Sequence, residues 1–314
     1  MKPAEIFFNE FGRLRSGWRF IVFMLSLFLL TGAVGGAIGA IVIYLPIGFS
    51  KSSLLGFLAP NLILLTVVIF LGWLCGKLFE DLPFRALGAW FTNNWLKDFV
   101  LGNLLGAASI GLAALILAAF GATVFQFNQN AGQTAILLTL AVSFGVFAVG
   151  AAAEEAFFRG YILQTFTRAK LALFAAALTS LLFAAAHIGN QGANYLSFIN
   201  TALAGVWFGA AYLKTRTLWL AFGLHLAWNW MQGAVLGISV SGINEITTAP
   251  LLQATNVGSD TLTGGDYGIE GGIACTIALI ISTLVIWFVP IFKPTEEMLK
   301  ITSEEKQINK PLDR

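Results

Sequence analysis

The chain holds two histidines, and both fall in apolar stretches: His187 in FAAAHIGN and His225 in FGLHLAWNW. Glu154, Glu155 and Arg159 lie in a third such stretch, AAAEEAFFRG. A charged group in hydrocarbon costs roughly 2.5–3.5 kcal/mol on insertion scales. Side chains kept at that cost, and these are the only histidines in the chain, read as groups that do chemistry.

Helical phase separates the two carboxylates. At about 100° per residue, Glu155 and Arg159 stand i,i+4 and about 40° apart, so they can pair along one face. Glu154 lies about 140° round from Arg159 and points elsewhere. Glu155 is therefore expected in a structural ion pair, which leaves Glu154 to face a cavity as a general base. His225 and Asn229 are again i,i+4, and Phe183 stands i−4 to His187. One carboxylate, two imidazoles and one amide form an inventory for water attack on a carbonyl: a base for the water and donors for the oxyanion. The same Glu154, His187 and His225 can instead hold a divalent metal such as Zn²⁺ with an open position. A third use of the set is a proton relay in a transporter.

The elements that position these groups are membrane helices. The 314 residues are 57% hydrophobic and 11% charged, with a mean hydropathy of +0.80; a soluble domain carries roughly 25% charged residues. A span needs about 20 apolar residues, and eight candidates follow: 20–45, 54–77, 98–120, 134–167, 171–188, 196–213, 217–238 and 270–292. The expected fold class is an all-α polytopic membrane protein of about eight transmembrane helices. Segment 81–97 is short and polar-aromatic, an interfacial connection with Trp90 and Trp95 at headgroup level. The organisation divides into N-terminal helices with that connection (1–133), a core of four helices (134–238), and a long loop, last helix and tail (239–314).

Loop charge gives the orientation. The chain has 18 Lys and Arg. With Arg159 set aside as intramembrane, 16 of the remaining 17 fall in the N-terminal segment, in alternate connections and in the tail, Lys51 being the exception. The positive-inside rule then puts both termini in the cytoplasm. The first apolar run runs far past a signal-peptide core of about 7–15 residues and no A-x-A site closes it, so it reads as a retained helix. Loop 239–269 reads as irregular, the tail after Pro294 as loosely ordered, and Gly32–Gly39 as a site of close helix packing. Cys75 and Cys275 read as small core residues. No basic stripe supports nucleic-acid binding; the partners implied are membrane lipid and a peptide or membrane-protein substrate.

Depth brings the chemistry together. Glu154 lies 14 residues before Arg168, and His187 lies 17 residues after Lys170. At a rise of about 1.5 Å per residue these are about 21 Å and 26 Å above the turn between them. His225 lies nine residues beyond Arg216, about 14 Å up. The heights coincide if the 168–170 turn projects about 8–10 Å from the membrane, which suits a 134–167 helix of about 51 Å. A break near Gly150 is the alternative. A site in the cytoplasmic half implies substrate access from that side or laterally.

The order EExxxR (Glu154, Glu155, Arg159), FxxxH (Phe183, His187), HxxxN (His225, Asn229) resembles the type II CAAX prenyl endopeptidase and bacteriocin-processing family of intramembrane proteases. All three motifs are complete, and the resemblance covers about residues 150–235. It implies an intramembrane endopeptidase in which Glu154 activates water, His187, His225 and Asn229 support the transition state, and Arg159 supports Glu155. Both metal-dependent and metal-free accounts of such members exist. A catalytically inactive immunity or scaffold protein of the same fold is the remaining alternative. The N-terminal design resembles that of a bacterial protein of the inner (cytoplasmic) membrane.

Overall fold

The computed structural model describes residues 3–43 and 54–303. Loop 44–53, with Lys51, lies outside the described residues, as do Lys2, Lys306, Lys310 and Arg314. The short α1 (Pro3–Phe7) precedes α2 (Ser16–Ile43), α3 (Leu54–Glu80) and α4 (Trp95–Ala119). The strand β1 (Thr123–Phe127) leads to α5 (Gln133–Glu155), which continues through a π-helical segment, Ala156–Ile162, into α6 (Leu163–Arg168). Then come α7 (Ala172–Ala186), α8 (Tyr195–Thr215) and α9 (Trp219–Trp230), the last extended by a π-helical Met231–Val235. The strand β2 (Leu252–Asn256), α10 (Asp260–Thr263), α11 (Ile273–Phe288) and α12 (Glu296–Thr302) complete the chain.

Among the described residues, five helices are long and apolar enough to cross a membrane: α2, α3, α4, the unbroken 36-residue rod from Gln133 to Arg168, and α8. Gly150 lies inside the rod, which settles for continuity over a break. α7 and α11 are apolar but shorter, and α9 is 12 residues long before its π turn. The chain is mainly helical, and β2 lies in loop 239–269, which the sequence presents as irregular. β1 pairs antiparallel with β2, Thr123 opposite Asn256 and Phe127 opposite Leu252.

α9 sits at the centre, buried on nearly every side from Leu220 to Trp228. An all-round apolar helix belongs in a core. Glycines let α4 approach it at backbone distance. A Cβ on Gly106 would lie 2.6 Å from Leu224 O, and one on Gly223 would lie 2.5 Å from Phe99 O. α7 meets α8 in the same way, with Gly205 against Ser180 Cα. α8 begins in a capping box: the Asn194 side chain accepts from the Leu196 and Ser197 N–H groups, and Ser197 Oγ accepts from Asn194 N–H. It ends at Arg216, where φ is +57°, turning the chain directly into α9.

One end of the molecule is held by charge. Glu80 Oε1 accepts from Arg19 at 2.8 Å and from Arg168 at 2.9 Å, all three side chains being buried. Arg168 also donates to Ser303 O, and Arg85 pairs with Glu297. Arg19 and Arg168 are therefore parts of a buried cluster joining α2, α3 and α6, where loop charges were expected. The tail after Pro294 is likewise ordered through α12, with Met298 buried beneath it. The expectation for Gly32–Gly39 is not met: no atom comes within 4 Å of a Cβ at Gly32, Gly35, Gly36 or Gly39.

Candidate active site

The rod carries the carboxylates to mid-molecule. Glu154 and Glu155 end its α-helical part, and the π-helical turn follows at once. Arg159, in that turn, donates to Glu155 Oε1 at 3.1 Å and to Gly205 O at 3.2 Å. Its guanidinium is fully buried among rings, 4.7 Å from the centre of Phe183, 5.0 Å from Phe208 and 5.5 Å from Phe158. Desolvated cation–π contacts of this kind help offset the burial of charge.

Glu155 does more than pair with Arg159. His225 Nδ1 lies 3.0 Å from the same Oε1. A carboxylate accepts, so Nδ1 carries the proton and Nε2 turns to the cavity. Phe208 stacks on the His225 ring at 4.6 Å and 17° and fixes its plane. His187 is oriented in parallel fashion. It caps the C-terminus of α7, and Nδ1 stands 2.8 Å from Phe183 O. A carbonyl can only accept, so this ring also presents Nε2 outward.

Glu154 faces His225 Nε2 across 3.7 Å, and its side chain remains 29% exposed, enough for solvent to reach it. Glu154, His187, His225 and Asn229 line one cavity, together with Phe183, Trp207 and Phe208. The four residues that sequence reasoning singled out for chemistry thus share a wall, and Glu155 with Arg159 lies behind it.

Loops from the end opposite the Glu80 cluster close the cavity. Asn190, Ser241, Ile246 and Glu270 line it. These loops, the roof of the cavity, lie at the far end of α7, whose last helical residue, Ala186, is followed at once by His187. Glu270 organises the roof. Its Oε2 accepts from Ser241 N–H at 2.6 Å and from Gln232 Nε2 at 2.9 Å, and Oε1 accepts from the Ser241 hydroxyl. Asn190 Nδ2 donates to Ser241 O, and Asn200 Nδ2 holds the carbonyls of Glu270 and Gly272. Burial pushes the Glu270 carboxyl up from the ordinary carboxylate range, while the Gln232 amide, the Ser241 N–H, the charge of His187 and the Ser241 hydroxyl draw it back. Sequence reasoning missed Glu270, because an acid at the first residue of the candidate span 270–292 looks like a solvated helix end.

Among the described residues, no three His, Cys, Asp or Glu side chains come together in a way that can hold a metal ion. Glu154, His187 and His225 as placed do not fit a zinc site.

Comparison with known proteins agrees with the three motifs. A family profile described as "Type II CAAX prenyl endopeptidase Rce1-like" matches residues 134–231, from the start of the rod through Asn229, and points to a membrane protease. No curated protein matches the chain. That segment, 98 of the 314 residues, is the part of the chain that is similar to the type II CAAX prenyl endopeptidase Rce1-like family.

Proposed function

We propose that the protein is an intramembrane endopeptidase in which Glu154 activates the hydrolytic water. Glu154 takes a proton from water as the oxygen attacks a peptide carbonyl, and it returns that proton to the leaving amine. His187 and His225, turned by their Nδ1 partners so that Nε2 meets the cavity, serve the developing oxyanion as imidazolium rings that donate Nε2–H, together with the Asn229 amide. Arg159 and Glu155 act through His225: the guanidinium holds the carboxylate, and the carboxylate holds the ring. The carrying observation is the 3.7 Å approach of Glu154 to His225 Nε2 in a cavity that also holds His187 and Asn229.

In this reading the chain crosses a bacterial inner membrane eight times, with the Glu80 cluster and both termini cytoplasmic. Residues 134–238 form the catalytic core, 1–133 a supporting N-terminal region, and 239–314 the roof, last helix and tail. The substrate is a peptide or membrane protein that reaches the cavity beneath the extracytoplasmic roof, and the surrounding partner is lipid. Comparative proteomics of peptide termini tests the reading. Termini present with the wild-type protein should vanish with Glu154→Ala, and an unchanged set would refute it.

A further inference from the structure

The cavity has an unbalanced electrostatic lining. Glu154 and Glu270 both face it, and no lysine or arginine lines it. The nearest fixed cation, Arg159, is spent on Glu155 and Gly205 O and screened by three aromatic rings. Glu154 stands with the histidines, whereas Glu270 stands on the roof side, at the first residues of the segment leading into α11. Its surroundings are built. Gln232 Nε2 is fixed by donating both to Ser239 O and to Glu270. Asn200 anchors the backbone on either side, and Thr276 Oγ1 in turn donates to Asn200 Oδ1 at 2.6 Å. Ser241, which supplies two of the three donors, is held at a φ of +48°, a conformation a serine adopts only under constraint.

A carboxylate has about four acceptor positions, and three are taken. One position therefore remains on Oε1, in a cavity wall that no lysine or arginine lines. Holding a carboxylate in a partly desolvated wall is costly without a cation partner, and a charged substrate group brought there gains a charge-assisted bond.

We propose that Glu270 is a specificity-determining residue whose carboxylate receives a cationic group of the substrate beside the scissile bond. That group is a lysine or arginine side chain or a peptide's α-ammonium. The inference rests on the reading of the cavity as a peptide-hydrolysing site.

The test uses the purified full chain in lipid nanodiscs and a synthetic peptide mixture, with cleavage of each sequence followed by mass spectrometry. One arm compares lysine with norleucine at each position around the cleaved bonds, in N-acetylated peptides. The other compares free with acetylated N-termini. The expected wild-type result is a kcat/KM ratio of about tenfold or more for the cationic member of one pair, the scale of one charge-assisted hydrogen bond. Glu270→Gln should bring that ratio towards one, and Glu270→Asp should keep most of it. A wild-type ratio near one overturns the proposal whether or not any variant folds. So does a Glu270→Gln protein that loses cationic and neutral cleavage equally, which would make Glu270 only a staple of the roof. Glu154→Ala runs alongside: surviving cleavage there refutes the hydrolytic reading itself, a result distinct from either failure above.

Discussion

Replacing Arg159 by Met isolates what a buried charge is doing. Glu155 has 1% of its side chain exposed and Arg159 has none. Met fills much of the space and places its sulfur against the rings of Phe158, Phe183 and Phe208, contacts that are themselves favourable. The loss is therefore mainly electrostatic. Glu155 keeps the His225 Nδ1–H bond and loses the Arg159 cation. Removing one partner of a buried pair costs about 3–5 kcal/mol, because the other charge is left uncompensated. Glu155→Gln added to Arg159→Met removes that charge while the Gln oxygen can still accept from His225. What remains is the loss of the Arg159 donor to Gly205 O, a carbonyl that still accepts within α8, worth about 0.5–1.5 kcal/mol. The double variant should therefore be more stable than the single Arg159→Met. Reversible denaturation in mixed micelles, followed by the helical signal, gives both values. An Arg159→Met protein within about 1 kcal/mol of wild type, or a double variant less stable than the single, would refute the reasoning.

Other perturbations probe the scaffold. Gly223→Ala forces a Cβ against Phe99 O and should cost about 1–3 kcal/mol or more by overpacking, with activity lost because α9 carries His225. Gly111→Ala, on α4 with nothing within 4 Å of its Cβ, should be neutral or stabilising by up to about 1 kcal/mol; thermal melts of the two compare them directly. Phe208→Ala removes the ring that stacks on His225 and should destabilise by about 3–5 kcal/mol, with activity falling further than stability explains, as read by kcat on the folded fraction. Tyr267, in the roof, has its hydroxyl pushed up to about 12, by burial first and then by the charge of Glu270. Its folded pKa lies above the unfolded value of about 10, so its contribution, about 2–3 kcal/mol, is complete below pH 10 and lost as pH rises through about 12. The tyrosinate absorbance difference between wild type and Tyr267→Phe should place the Tyr267 titration near 12, and a difference centred near 10 would contradict the burial argument.

Where the sequence was legible, a physical constraint made it so. Glu154, Glu155, Arg159, His187 and His225 stood out because hydrocarbon penalises polar groups, and i,i+4 geometry paired Glu155 with Arg159 correctly. The same geometry could not foresee that Glu155 also reaches His225, a contact between residues 70 apart in the chain. The π-helical turn after Glu155 left no mark in composition. Glu270 was invisible for the opposite reason to Glu154: it opens the candidate span 270–292 beside a polar loop, where an acid carries little cost. The Glu80 cluster was hidden by the rule that read Arg19 and Arg168 as loop charges, since residue counting cannot tell a solvated arginine from a buried one. β1 and β2 lie in loops whose pairing is set by packing over the roof rather than by their own short sequences.

The central claim is that Glu154 activates the water. Its most direct test is single-turnover cleavage by purified protein in lipid, wild type against Glu154→Gln, on a peptide that the wild-type protein cuts. Gln keeps the size and polarity of the side chain and cannot take the proton. The account predicts a fall of about 10²-fold or more, the range of general base catalysis, with substrate binding retained. A Glu154→Gln protein that cleaves at the wild-type rate would contradict it.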